Sequence, residues 1–61
     1  MPADPEDIRE VCSEVFLRHG LHGLSMRQAI QMVTQQLQEI DLFAEEAQIR
    51  VAIQRHVDSS V

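Results

Sequence analysis

Lysine, tyrosine and tryptophan are absent from these 61 residues, cysteine occurs once, and glycine and proline occur twice each. A lone cysteine forms no internal disulfide, so the fold has no covalent staple and a reducing compartment is its natural setting. Two glycines supply no glycine-rich phosphate loop, and nothing in the chain is repeated or of low complexity. No apolar run nears the roughly 18 residues that a membrane span requires. The acidic N-terminus also lacks the positive charge that opens a secretory signal. With 44% hydrophobic and 25% charged residues, the composition is that of one small soluble domain, taken as residues 1–61.

Positive charge is also scarce. Ten carboxylates face five arginines, for a net charge of −5, the wrong sign for a domain whose affinity comes from neutralising phosphates. The charge is blocked, however. Carboxylates crowd residues 1–15 and 39–46, whereas residues 16–38 carry only Arg18 and Arg27. Local basic faces can therefore exist on an acidic chain.

What is present reads as three helices. Asp4-Pro5-Glu6-Asp7 places an N-cap, a first-turn proline and acids at the positive end of a helix dipole, so α1 is expected over about residues 5–19. Ile8, Val11, Cys12, Val15 and Phe16 form its buried stripe. Gly20 ends it in the left-handed conformation. Leu17 lies opposite the stripe, and His19 is expected to be half-buried at the helix end. Leu21-His22-Gly23-Leu24 connects to Ser25-Met26-Arg27-Gln28, a capping box that opens α2. Met26, Ala29, Ile30, Val33, Leu37 and Ile40 make the second stripe, with Gln28, Gln31, Gln35 and Gln38 on an uncharged polar face. Asp41 is expected to cap α3, which would run from Leu42 to about Val57 with Glu45 and Glu46 in its first turn. Leu42, Ile49, Ala52, Ile53 and Val57 form its core stripe. Phe43, Ala47 and Val51 fall roughly 100–180° around the same helix, so α3 should be apolar on two faces.

Catalytic chemistry is missing from the pattern. His19 and His22 have a metal-ligand spacing that Cys12 and His56 could complete, but Gly20 separates the two histidines and Cys12 belongs to a buried stripe. No metal, cofactor, catalytic residue or small-molecule substrate is expected. Glu45 and Glu46 point to different sides of a helix and make no acid–base pair.

Several stretches resemble the C-terminal domain of the DEK chromatin protein, a module also found beside SWIB domains and in slingshot phosphatases. Glu6-Asp7-Ile8-Arg9 matches its acidic start, and Leu17-Arg18 matches the end of its first helix. Leu21-His22-Gly23-Leu24-Ser25-Met26-Arg27 matches its next run, and Asp41-Leu42 with Ile49 and Ile53 matches its third helix. The resemblance spans residues 6–57. It implies an all-α, compact three-helix domain in a winged-helix-like or DEK C-terminal-like arrangement, within a nuclear protein associated with DNA or chromatin. Where that family usually has lysine and an aromatic, this chain has Glu46 and Gln48, and the family's frequent glycine between the second and third helices is missing between Leu37 and Asp41. A fainter likeness to the N-terminal helical domain of the DNA polymerase epsilon B-subunit lies around Phe16, Gly20-Leu21 and Arg27-Gln28-Ala29-Ile30.

The resulting expectation is a non-catalytic protein-interaction module, nuclear with the cytosol as alternative. It would bind another protein or a second copy through Leu17, Met32, Phe43, Ala47 and Val51. The alternative is a DNA-binding module using Arg27, Gln48, Arg50, Gln54 and Arg55, with weak DNA contact in view of the net charge. Met1-Pro2-Ala3-Asp4 reads as a native start and Ser59-Ser60 as the beginning of a linker to a longer chain.

Overall fold

A computed structural model of the chain describes residues 1–20 and 23–59. The first two helices form where their end signals stand. α1 spans Pro5–His19 and α2 spans Met26–Glu39. At the start of α1 the Asp4 backbone N–H donates to Asp7 Oδ2 at 3.4 Å. At its end Gly20 adopts φ 85° and donates its N–H to the Phe16 carbonyl at 2.9 Å, a conformation that costs an L-residue with a Cβ more than it costs glycine. Ser25 and Gln28 bond reciprocally, backbone N–H to side-chain oxygen in each direction at 3.2 Å, which satisfies two otherwise orphaned donors of α2.

The stripes then pack on one another. Ile8, Val11, Cys12, Val15 and Phe16 of α1 meet Ala29, Ile30, Val33 and Leu37 of α2, and α3 adds Ile49 and Ile53. Each helix touches both others, giving an all-helical three-helix domain of 32 × 17 × 17 Å. α1 and α3 run in the same direction. Residues 2 and 43 pair just before their N-terminal ends, and the rings of Phe16 and His56 stack near their C-terminal ends with centroids 5.0 Å apart.

The junction between α2 and α3 departs from expectation. α3 spans Glu46–Ser59, four residues later than the expected start at Leu42. Asp41 does not cap α3; it closes α2. With φ 58° it occupies the left-handed position that glycine usually fills, and the Leu42 N–H reaches back to the Leu37 carbonyl at 2.9 Å while the Asp41 N–H reaches Gln38 at 3.1 Å. These two bonds form a Schellman closure, and a short polar side chain is among the few besides glycine that visit this conformation. The missing junction glycine is thus replaced by Asp41. Ile40, expected in the α2 stripe, falls beyond the last helical residue and is half exposed. Glu45 stands just before α3 instead of in its first turn, its carbonyl accepting from Ile49 and its N–H donating to Gln48 Oε1 at 3.1 Å.

The residues freed from α3 are used by the N-terminus. Phe43 donates to the Met1 carbonyl at 2.8 Å and accepts from the Ala3 N–H at 2.7 Å, a single parallel bridge between Pro2 and Phe43. The Met1 ammonium adds a bond to the Asp41 carbonyl at 3.2 Å. Ala3 is buried by this pairing, so the strap extends the core below the first turn of α1.

Candidate functional site

Between the two parallel helices the packing is incomplete. α3 presents Ala47, Ala52 and Ser59 toward α1, and α1 presents Pro5 and Ser13; these side chains are too short to close the space above the core. The result is a groove of about 710 Å³, with Ile8, Val51, Gln48 and His56 also in its walls. Residues 47–59 carry it for roughly 18 Å along α3 at the helical rise. Among the described residues its charged side chains are Arg9 from α1 and Arg55 from α3, and no carboxylate of a described residue lines it. Neither arginine makes an ion pair with a described residue, whereas Arg50, one step away on α3, stands 3.8 Å from Glu46.

A second groove lies between α1 and α2. It measures about 260 Å³ and is lined by Glu14, Val15, Arg18, His19, Met32, Gln35, Gln36 and Glu39. Charges of both signs surround it.

The ten candidate residues from the sequence divide among these places. Ala47 and Val51 enter the α1–α3 groove, and so do Gln48 and Arg55 from the nucleic-acid set. Val51 is 52% exposed despite its apolar side chain. Phe43 is 65% exposed but is not on α3; it sits in the connection before the helix, held by the N-terminal strap. Leu17 is 89% exposed and lines neither groove. Met32 is half-buried and packs against the core, so it is not a free apolar side chain outside it. Arg27 is exposed in the first turn of α2, away from both grooves, and Gln54 donates to Asp58 at 3.2 Å. The five apolar candidates therefore do not form one surface.

Pro5, Ile8, Arg9, Ser13, Ala52, His56 and Ser59 complete the larger groove and were not among the candidates. Each lies on or beside a stripe that reads as ordinary core or helix surface, and only the parallel course of α1 and α3 brings Arg9 toward Arg55.

Among the described residues no cluster of three metal-binding side chains occurs. His19 is exposed, not half-buried, since the buried stripe of α1 stops at Phe16. His22 and the motif position Leu21 lie outside the described residues, as does Ser60. Cys12 is fully buried, and loss of hydration pushes its thiol up from 9.0 to about 11, which keeps it protonated and unreactive at neutral pH. No described helix is long and apolar enough to cross a membrane.

No protein-family model, no curated protein and no solved structure matches this chain.

Proposed function

We propose that this domain is a non-catalytic docking module that receives a segment of a partner protein in the groove between α1 and α3. The observation that carries the reading is Val51, half exposed on a helix whose opposite side buries Ile49 and Ile53, at the middle of an open-sided groove with an apolar floor. Apolar surface left along two parallel helices is stabilised by covering it, at about 25 cal/mol for each Å² removed from water. A helix laid along α1 and α3 would do so in the geometry of a four-helix bundle. The resemblance to the DEK C-terminal domain adds the expectation of a nuclear, chromatin-associated host.

DNA binding has weaker support. A phosphate-binding face needs several cations on one surface, and here Arg27 stands apart from Arg55 while Arg50 is partly neutralised by Glu46.

Peptide display tests the docking reading. A library of short amphipathic helices is selected on the wild-type domain and scored against Val51→Asp and Leu17→Asp. The expected outcome is a set of binders lost on Val51→Asp and retained on Leu17→Asp. Binders indifferent to Val51, or none at all, would contradict it.

A further inference from the structure

The charge inside the groove is opposite in sign to the charge of the chain. With ten carboxylates against five arginines overall, the charged groups lining this groove are nonetheless two arginines, one from each helix. We infer that the occupant is an acidic amphipathic helix, its apolar stripe seated on Ala47 and Val51 and its flanking carboxylates on Arg9 and Arg55. This rests on the docking reading above and specifies the partner's chemistry.

Guanidinium groups bind carboxylates through paired, charge-assisted hydrogen bonds, and among the described residues no carboxylate pairs with either of these two. A second copy joined by a two-fold axis would set the groove against itself and bring arginine toward arginine, with no carboxylate among the described lining residues to offset them. A nucleic acid would meet an apolar floor without a tyrosine, tryptophan or phenylalanine for bases to stack on, and two cations are few for a phosphate chain. The net charge of the domain repels an acidic partner at long range. That repulsion is screened beyond about 8 Å at physiological salt, whereas the contacts with the two arginines are short-ranged.

Fluorescence anisotropy with two labelled helical peptides tests this. Each has about 14 residues, enough to span the groove at 1.5 Å per residue, and an identical leucine stripe. One carries glutamates on both flanks and the other lysines. The glutamate peptide is expected to bind the wild-type chain roughly tenfold more tightly, equivalent to about 1.4 kcal/mol. An Arg9→Glu, Arg55→Glu double variant should reverse the order, and Val51→Asp should weaken both peptides. Arg9→Gln with Arg55→Gln, which should remove the preference without reversing it, serves if the charge-reversed variant fails to fold by circular dichroism.

Equal binding of both peptides, each lost on Val51→Asp, would overturn the acidic occupant and leave the docking reading standing. Failure of both peptides to bind at millimolar concentration, or binding indifferent to Val51→Asp, would overturn both. Competition by a second copy, seen as a Val51-dependent dimer in sedimentation, or by duplex DNA at sub-micromolar concentration, would overturn the acidic helix in favour of that occupant.

Discussion

The two grooves that flank α1 differ in size, charge and what fills them. On the α2 side Met32 folds down against the core, and Glu14, Arg18, Gln35, Gln36 and Glu39 ring the remaining 260 Å³ with polar groups of mixed sign. On the α3 side Ala47, Ala52, Ser13 and Ser59 leave about 710 Å³ open above an apolar floor, with charge of one sign. Both grooves rest on the same buried stripe of α1, so their difference comes from side-chain length on the facing helix. A long flexible methionine closes a seam that an alanine leaves open. Of the two grooves the larger opening is the seam between the parallel helices, and of the large exposed apolar side chains only Val51 lies in it, while Leu17, Ile40 and Phe43 stand elsewhere.

The largest effect expected is on the core beneath both grooves. Ile53→Ala should cost about 2–5 kcal/mol in a denaturant melt, because Ile53 is 2% exposed and the core has little room to collapse. A domain this small has a margin of only about 3–5 kcal/mol, so the variant should be largely unfolded. A cooperative, near wild-type melt would mean that α3 is not anchored on this side and that the groove opposite is misplaced.

Cys12 sharpens the same point without a mutation. Its thiol titrates near 11 in the folded chain and near 9.0 when hydrated, so the folded state holds its proton more tightly than the unfolded state does. Stability from this group is complete below pH 9 and is lost as pH rises from about 9 toward 11. Alkylation at neutral pH should be slow and should accelerate with denaturant. Rapid alkylation of the native chain would show that α1 is wetted between the grooves.

How much of this was legible in the residues depends on the range of the forces involved. α1 and α2 could be read to within a residue because their signals are local: Asp4 and Pro5, Gly20, and the reciprocal Ser25–Gln28 pair each act within one turn. The start of α3 could not. Asp41 before an apolar run suits an N-cap and equally suits the left-handed closure of the preceding helix. In the fold it takes the second role, and the residues so released bond to the N-terminal strap some 40 positions away. The groove was half legible for the same reason. Ala47 and Val51 could be seen as a second apolar line on α3, but Arg9, Pro5 and Ser13 join them only once α1 is known to run parallel. Phe43 misled because it continues the four-residue spacing of that line while lying outside the helix.

Asp41→Gly should stabilise the domain by up to about 1 kcal/mol, seen as a small rise in Tm, since glycine adopts φ 58° without a Cβ penalty. The change lies at the end of α2 and should leave peptide binding in the α1–α3 groove unaltered. A loss of stability would mean that the Asp41 side chain contributes more to the junction than its backbone conformation costs. The smallest effect belongs to Leu17→Asp. Leu17 touches neither groove, so its replacement should alter stability by no more than about 0.5 kcal/mol and binding not at all. A substantial loss of binding would place a partner on the outer face of α1 and remove the distinction between the two seams.

If the partner seam lies between α1 and α3, amide chemical-shift mapping will locate it there. A ¹⁵N-labelled chain is titrated with the glutamate-flanked helical peptide. Shifts are expected to concentrate on Arg9, Ser13, Ala47, Val51 and Arg55, with Met32, Gln35 and Gln36 unmoved. Shifts centred on Met32, Gln35 and Gln36, or spread evenly over the three helices, would contradict the claim.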